Sequence, residues 1–226
     1  MNLAIIPARS GSKRIPNKNI KFFFGKPIIS YSIDLAIKSK LFDKVIVSTD
    51  SSKIKKIAEK NGAEVPFIRP KYLSNDSIGA DEVVRHAIRW YSSKGIKLKN
   101  ICCIYPTSPL LKKKYLIAGY KKLKSKKWNF VFSAGRYDSS VQRAFVLKKN
   151  RGIKMLLPKY YEYNSQDLSD AFYDAGNFYW AKKNTWVNKK IIIFSKSSTI
   201  VEIPSNYVED VNTLSDWKNL SKKYQR

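Results

Sequence analysis

The chain has 226 residues, of which 43% are hydrophobic, so it can bury a full core and general disorder is excluded. Its 44 lysine and arginine residues against 17 acidic residues give a formal net charge of +27, which raises the question of a nucleic-acid partner. The cations are spread along the whole chain without a zinc-finger or recognition-helix pattern, so we expect no nucleic-acid partner. We interpret the charge mainly as solvated surface that also attracts anionic substrates.

No apolar run approaches the roughly 18 residues that a membrane-spanning helix needs, and the N-terminal residues lack a signal-peptide pattern. Cys102 and Cys103 are adjacent in an apolar run, and neighbouring strand residues point to opposite faces, which makes them poor disulfide partners. We therefore expect a cytoplasmic protein without membrane association, in which both cysteines are small buried hydrophobic residues.

Strand and helix patterns alternate along the chain. Short apolar runs predict strands at residues 3–7, 45–49, 63–67, 101–105, 129–134, 190–194 and 199–203. Helical periodicity predicts helices at residues 28–40, from a cap at Asp50 or Ser51 to residue 61, at 81–93, at 112–127 and after the segment 208–217. The alternation predicts one α/β domain over residues 1–226, built on a doubly wound, mostly parallel sheet.

The loop after the first strand is rich in cations and hydroxyls, and its members are Arg9, Ser10, Gly11, Ser12, Lys13, Arg14 and Lys18. Backbone N–H groups, hydroxyls and cations in such a loop can all point at one polyphosphate. The spacing of a P-loop is missing, and on charge alone a solvated basic turn is an equally good interpretation.

Parallel sheets bind ligands at the carboxyl ends of their strands. The loops that start at Ala8, Asp50, Arg69 and Pro106 should therefore share one edge of the sheet. Arg69 should therefore lie near the ligand of the first loop.

Residues 5–21, followed by Gly25-Lys26-Pro27-Ile28, closely resemble the opening of the nonulosonate cytidylyltransferases, which join CMP to sialic acid and its bacterial relatives. The resemblance implies a Rossmann-like nucleotidyltransferase fold and, as substrates, CTP and an acidic nine-carbon sugar. It implies that Lys18 and Arg9 are catalytic and hold the charge of the phosphates. The implied nucleotide-binding residues are Ala8, Arg9, Ser10, Gly11, Ser12, Lys18, Asn19, Arg69 and Asp76.

Residues 136–172 interrupt the α/β rhythm with a long, tyrosine-rich excursion, whose apolar residues argue against disorder. The resemblance implies that this excursion is a dimerisation arm, exchanged within a homodimer. The segments 142–144, 165–168 and 174–180 resemble the pseudaminic acid branch of the family, and Tyr105 stands where sialic acid enzymes are expected to carry glutamine. The implied sugar-binding residues are Tyr105, Gln142, Arg143, Gln166 and Asp174, with Arg143 as the cation for the sugar carboxylate.

Near the C-terminus the family usually shows Asp-x-Asp-Thr around a Mg²⁺ (or Mn²⁺) cofactor, whereas this chain carries Asp210 and Asn212. We expect Asp210 to be catalytic as the metal ligand, with Asn212 as a second candidate whose amide oxygen brings no charge. Asp210 also suits a helix N-terminal acid near Thr213.

Three alternatives stay open at this stage. The first is the same reaction on N-acylneuraminic or legionaminic acid. The second is an inactive sugar-nucleotide-binding homologue, suggested by Asn212, and the third is a basic nucleic-acid-binding protein, suggested by the net charge of +27.

Overall fold

A computed structural model describes residues 1–149 and 152–226. The strands of these residues are β1 (Asn2–Pro7), β2 (Phe22–Phe23), β3 (Lys26–Pro27), β4 (Lys44–Ser48), β5 (Asn100–Ile104), β6 (Phe130–Arg136), β7 (Phe145–Lys148), β8 (Gly152–Met155), β9 (Phe172–Lys182) and β10 (Ser198–Glu202). The α-helices are α1 (Ile29–Ser39), α2 (Ser52–Lys60), α3 (Ala80–Ser93), α4 (Lys113–Lys124), α5 (Lys183–Val187) and α6 (Leu214–Gln225). Short 3-10 turns occupy Lys18–Ile20, Lys71–Leu73, Val141–Arg143, Pro158–Tyr160, Ser165–Asp167 and Ser205–Tyr207. Within the described ranges, no helix is long and apolar enough to cross a bilayer.

Six strands form the central sheet in the order β10-β6-β9-β5-β1-β4. The pairs β1–β4, β1–β5 and β6–β10 are parallel, whereas β9 runs antiparallel to both of its neighbours. The predicted α/β fold with a mostly parallel sheet is therefore confirmed, with one inserted antiparallel strand.

Helices cover both faces of this sheet. One buried cluster joins residues of α1, α2 and α4 to the sheet, and a second joins residues of α3 and α5 to the opposite face. Cys102 lies in the first cluster and Cys103 in the second, both as free thiols, so the predicted opposite orientation of the two side chains is confirmed.

The strand predicted at residues 63–67 is wrong. This segment makes only two isolated parallel bridges, Ile46–Glu64 and Thr49–Ile68. Pro66 lies between them, and proline has no N–H to donate to a ladder, so continuous pairing is interrupted. The segment still runs along β4 and delivers Arg69 to the carboxyl edge, where the Arg69 N–H donates to the Thr49 carbonyl over 2.7 Å.

The strand predicted at residues 190–194 is also wrong, because this stretch forms bends and turns. Ile191 and Ile193 pack against the cluster that contains α3 and α5. The alternating apolar pattern is thus produced by a segment that lies over a face of the sheet, where it has no strand to pair with.

Strand β9 contains an irregularity that shapes the carboxyl edge. Its register with β6 shifts between Phe132 and Ala134, and Gly176 lies in the shifted stretch with φ +60°, a left-handed conformation that suits glycine. The Ser133 hydroxyl accepts the N–H groups of Asn177 and Phe178 over 3.1 Å each, so the buried backbone donors of the shift are satisfied. Irregularities of this kind re-aim side chains, here Asp174.

Residues 137–149 and 152–171 lie outside the sheet, between β6 and β9. They carry an antiparallel hairpin of β7 and β8, together with three of the 3-10 turns. Leu147 and Ile153 face each other across this hairpin, and they are 82% and 62% exposed. The predicted break in the α/β rhythm is confirmed at these positions.

Candidate active site

A cavity of about 520 Å³ opens at the carboxyl edge of the sheet. Its walls come from the loop after β1, from the segment around Arg69, from the loop after β5, from the start of α3 and from the segment before α6. The lining residues are Pro7, Arg9, Ser12, Lys13, Arg14, Ile15, Lys18, Asn19, Arg69, Leu73, Asn75, Asp76, Ile78, Ala80, Val83, Tyr105, Pro106, Thr107 and Asn212. The predicted shared edge for the loops at residues 8, 69 and 106 is therefore confirmed.

The loop after β1 is held by the strand beside it. The Ala8 N–H donates to the Ser48 carbonyl over 2.9 Å. The Ser10 N–H and hydroxyl both donate to the Asp50 carboxylate, over 2.9 and 2.8 Å. Ala8, Ser10 and Gly11 are not among the residues that line the cavity. The contacts of Ala8 and Ser10 instead fix the shape of the loop.

Asp76 pairs with two cations of this loop. Its carboxylate lies 2.5 Å from Arg9 Nη2 and 2.9 Å from Lys13 Nζ. The hydrogen bonds from Lys13 and then Arg9 lower the pKa of the Asp76 carboxyl. Asp76 therefore holds the cations by which a phosphate would be bound, and it repels a phosphate itself.

Lys18 and Arg69 supply charge deeper in the cavity. Lys18 Nζ donates to the Val211 carbonyl over 2.7 Å, and burial lowers the pKa of its ammonium, assisted by repulsion from Arg14 and Arg9. Arg69 is buried, donates to the Ser48 carbonyl over 3.1 Å and to the Ser74 hydroxyl over 3.0 Å, and has a pKa that is also lowered by burial. Lysine and arginine are donors without acceptors, so both side chains can bind only anions or lone pairs.

Asn19 is buried and donates from its amide to the Arg9 carbonyl over 2.9 Å. Ser12 lines the cavity, and its N–H donates to the Ser10 carbonyl over 2.9 Å. These bonds fold the loop back on itself and keep the Arg9 side chain over the cavity.

Asp210 lies beside the cavity, one residue from Val211, whose carbonyl binds Lys18. The Asp210 Oδ2 atom accepts a hydrogen bond of 2.6 Å from the side-chain Nδ2 of Asn212, and the side-chain Oδ1 of Asn212 accepts one of 2.8 Å from Arg14. The cap of α6 is Thr213, paired with Asp216 in a capping box. The helix-terminal acid is thus Asp216, and the alternative capping role suggested for Asp210 is wrong.

The carboxylate oxygens of Asp210 suit a hard cation such as Mg²⁺ that is also bound by a phosphate. Among the described residues, no three His, Cys, Asp or Glu side chains converge on a common point. Mg²⁺ is commonly held by one or two carboxylates together with substrate phosphates and water. The exposed carboxylate of Asp210 fits such a site, whereas the side-chain oxygen of Asn212 is uncharged and already accepts a hydrogen bond from the Arg14 cation.

A second cavity of about 170 Å³ adjoins the first, and the two share Ala80 and Tyr105. Its lining residues are Ala80, Asp81, Tyr105, Asp174, Tyr179, Trp186, Ile193 and Phe194. The Tyr179 hydroxyl donates to Asp174 over 2.5 Å, and burial raises the pKa of both Tyr105 and Tyr179. The cavity therefore combines apolar and aromatic walls with two carboxylates, of which that of Asp81 is paired with Arg85. Tyr105 stands between this cavity and the cationic one.

The remaining sugar-binding candidates lie on the excursion. Gln142 donates to the Ser169 carbonyl over 2.7 Å, Arg143 donates to the Ser165 hydroxyl over 3.4 Å, and Gln166 is exposed. None of the three belongs to the described lining of either cavity.

The larger cavity also contains Lys13, Arg14 and Thr107, and the smaller one contains Tyr179; the sequence assigned none of these four an individual role. Lys13 and Arg14 were visible as loop cations, and their position in the same loop as Arg9 was a usable signal. Thr107 follows the Pro106 loop that was expected at this edge. Tyr179 gave no signal, because a strand tyrosine looks the same whether it packs in a core or lines a cavity.

A family model described as cytidylyltransferase matches residues 3–214 of the chain. The chain is 43% identical to pseudaminic acid cytidylyltransferase of Campylobacter jejuni, over 95% of the chain and 92% of that protein. It is 31% identical to N-acylneuraminate cytidylyltransferase of Escherichia coli, over 83% of the chain and 44% of that protein. A solved structure of CMP:2-keto-3-deoxy-manno-octonic acid synthetase complexed with CTP has the same fold, with a TM-score of 0.74, 13% identity and coverage of 99% of this chain and 98% of that one.

Because burial lowers its pKa, Lys18 should lose its proton at a lower pH than an ordinary lysine. NMR titration of the lysine Cε signals, with Lys18→Arg to assign the resonance, measures this directly. We expect one lysine to have a pKa below the ordinary lysine value of 10.5, and its signal to be missing in the variant. Titration of Lys18 together with the exposed lysines would contradict the described environment.

Proposed function

Because the chain belongs to the cytidylyltransferase family, we propose that it transfers CMP from CTP to the anomeric hydroxyl of a nine-carbon 2-keto sugar acid, with pseudaminic acid as the acceptor. The observation that carries this proposal is the pair of adjoining cavities at the carboxyl edge. The larger is lined by Arg9, Lys13, Arg14, Lys18 and Arg69, and the smaller is mostly apolar and aromatic, with the carboxylates of Asp81 and Asp174. A polyanionic nucleotide and an acylated sugar need this division of chemistry.

The cationic cavity binds the nucleotide in this proposal. Arg9 and Lys18 bind the triphosphate, while Ser12 and the loop around Asn19 hold the phosphates in a fixed position. The other wall contains Arg69, Leu73, Asn75, Asp76, Ile78 and Ala80. We propose that the cytosine and ribose bind against this wall. Asp76 releases Arg9 and Lys13 when the triphosphate replaces its carboxylate as their partner.

The reaction forms one bond and breaks one. The anomeric oxygen attacks the α-phosphorus of CTP, the bond between that phosphorus and the bridging oxygen to the β-phosphorus breaks, and pyrophosphate leaves. Lys18 and Arg9 stabilise the charge that develops on the phosphoryl oxygens, and the half-buried position of Lys18 strengthens its contribution. Most of the catalysis therefore comes from positioning and charge neutralisation.

Mg²⁺ or Mn²⁺ is the proposed cofactor, held by Asp210 and by the phosphates of CTP. When bound, the ion neutralises phosphate charge and lowers the pKa of the attacking hydroxyl. Asp210 itself lies close enough to Lys18 to raise that residue's pKa, so the carboxylate also keeps the lysine charged.

The smaller cavity receives the sugar. Asp174 accepts sugar hydroxyl or amide donors, and the walls formed by Trp186, Ile193 and Phe194 suit methyl groups of an acylated sugar. Tyr105, which separates the two cavities, contacts the sugar next to the reacting phosphorus. The closer similarity to the Campylobacter jejuni enzyme favours pseudaminic acid over N-acylneuraminic acid.

We propose further that the protein works as a homodimer and that residues 136–172 are the arm exchanged between subunits. The exposed Leu147 and Ile153 form an apolar surface that a second copy would cover. Gln142, Arg143 and Gln166 then reach the partner's sugar cavity, where Arg143 binds the sugar carboxylate. The two buried free thiols suit the reducing environment of the cytoplasm, which is the proposed location.

The direct test is pyrophosphate release with each of the four nucleoside triphosphates against pseudaminic, N-acylneuraminic and legionaminic acids. We expect turnover with CTP and pseudaminic acid, and a value of kcat/KM at least about tenfold lower with the other two acids, which corresponds to about 1.4 kcal/mol. Lys18→Ala should abolish most of the turnover, and Arg89→Ala, which removes an exposed cation from α3, should leave it unchanged.

Each other outcome identifies a different function. Preference for N-acylneuraminic or legionaminic acid would keep the cytidylyltransferase reaction but change the acceptor sugar. CTP binding without turnover indicates a binding homologue. Absence of CTP binding, combined with salt-sensitive binding to nucleic acid, would contradict the proposal altogether.

Arm exchange can be tested by mixing two inactive variants. A subunit with Lys18→Ala lacks a working nucleotide cavity but keeps its arm, and a subunit with Arg143→Ala keeps the cavity but lacks the arm cation. Random pairing gives half heterodimers with one intact site each, so co-expression should restore about a quarter of the normal activity. If Arg143 serves its own subunit, the mixture stays inactive.

The same experiment needs a control for assembly. Leu147→Asp together with Ile153→Asp should give a monomer by size-exclusion chromatography with light scattering, because each carboxylate would be buried in the dimer contact. A stable dimer of this double variant would show that another surface joins the subunits.

A further inference from the structure

We propose that Asn212 is a positioning residue that holds the Arg14 guanidinium toward the phosphates of CTP, and that Arg14 is a further phosphate-binding residue of this site. The inference rests on the proposed function, since it assigns a role toward the same nucleotide. It differs from the expectation that residue 212 is a metal ligand, and it assigns Arg14, for which the sequence indicated no individual role.

The two hydrogen bonds of the Asn212 side-chain amide are compatible with only one orientation of its oxygen and nitrogen atoms. Arg14 Nη2 donates to the amide oxygen over 2.8 Å, and the amide nitrogen donates to Asp210 Oδ2 over 2.6 Å. Arginine has donors only, and an ionised carboxylate has acceptors only. The amide must therefore turn its oxygen toward Arg14 and its nitrogen toward Asp210, and a flipped amide would satisfy neither neighbour.

An aspartate at position 212 would not make the same bridge. Its carboxylate could accept from Arg14, but it would repel Asp210 across the distance of 2.6 Å that the amide now spans. Asparagine is the residue that links a cation on one side to an anion on the other. The link also places the positive charge of Arg14 against the side-chain oxygen of Asn212, and this charge would repel a metal ion bound to the same atom.

The backbones that carry this bridge are fixed independently of it. Ile15, next to Arg14, and Val211, next to Asn212, are buried in one apolar cluster. The Asn212 N–H donates to Asp216 over 2.9 Å at the start of α6. Lys18 joins the same two segments through the Val211 carbonyl. The loop after β1 and the segment before α6 are thus packed together, and the amide only has to orient one side chain.

Arg14 needs such an orienting contact. It is an exposed, long side chain that lines the cationic cavity, and it has five donors, of which Nη2 binds Asn212. Its remaining donors stay available for phosphate oxygens. Fixing the planar guanidinium in advance lowers the ordering cost that each phosphate contact would otherwise carry.

The test is the affinity for CTP in the presence of EDTA, measured by calorimetry on Arg14→Ala, Asn212→Ala and the double variant. We expect the dissociation constant to rise about 10- to 100-fold for Arg14→Ala, as for loss of charge-assisted hydrogen bonds, and about 3- to 10-fold for Asn212→Ala. The double variant should bind no more weakly than Arg14→Ala, because Asn212 acts through the guanidinium. Arg89→Ala and Asn206→Ala, both at exposed positions, are the matched controls and should bind CTP normally.

A second readout separates positioning from metal ligation. The Mg²⁺ concentration that gives half-maximal turnover should be unchanged in Asn212→Ala if the residue positions Arg14. If Asn212 ligates the metal, metal-free CTP binding stays normal and the half-activating Mg²⁺ concentration rises, which overturns the inference. Multiplicative losses in the double variant overturn it as well.

The outcomes also distinguish this inference from the proposed function. Coupled losses of CTP binding in a protein that never releases pyrophosphate would support the Arg14–Asn212 pair and contradict the transferase assignment. Absence of metal-free CTP binding to the unsubstituted protein would overturn both. The apolar packing of Ile15 and Val211 does not involve the amide, so the variants should unfold within about 2 °C of the parent, as is typical of exposed substitutions.

Discussion

The structure depends on the attachment of one cationic loop to the carboxyl edge of a parallel sheet. Asp50, which follows β4, accepts hydrogen bonds from the Ser10 N–H and hydroxyl. Asn19 folds the loop back onto Arg9, and the Val211 carbonyl in the C-terminal segment accepts a hydrogen bond from Lys18. Without these three attachments, the mutual repulsion of the loop cations would favour an open, solvated loop. The attachments keep the charges where a single polyanion can meet all of them.

The same arrangement explains why acidic residues occur in a cavity for phosphates. Asp76 neutralises Arg9 and Lys13, and Asp210 raises the pKa of Lys18 while burial lowers it. A chain with a net charge of +27 needs such local anions, because like charges brought together are costly until the ligand arrives. The anions thus stabilise the site without a ligand, and the exposed position of Asp76 lets it be displaced.

Much of this could be predicted from the sequence, since strand and helix periodicity fixes which loops share an edge. The periodicity alone predicts Arg69 beside the first loop, where the structure has it. It could not detect the antiparallel direction of β9, because a buried strand has the same apolar pattern in either direction. It also misjudged residues 63–67, where Pro66 interrupts pairing, and residues 190–194, which lie over a face of the sheet.

Side-chain pairing was the least predictable part of the site. The Arg14–Asn212 contact joins positions 198 residues apart, and the Asp76 pairs join two separate loops, so neither follows from local pattern. The family resemblance supplied Arg9, Lys18 and Asp210 as candidates, but it gave no indication that Asn212 bridges Arg14 and Asp210. Tertiary packing brings those groups together, through the apolar cluster that contains Ile15 and Val211 and the hydrogen bond from Lys18 to the Val211 carbonyl.

The central claim is that the cavity between the loop after β1 and the segment before α6 binds CTP. A crystal structure of the complex tests it most directly. The account predicts the triphosphate within hydrogen-bonding distance of Arg9 and Lys18, the cytosine on the side of Arg69, and the Asp76 carboxylate separated from Arg9. A nucleotide bound elsewhere, or bound here with the Arg9–Asp76 pair intact, would contradict it.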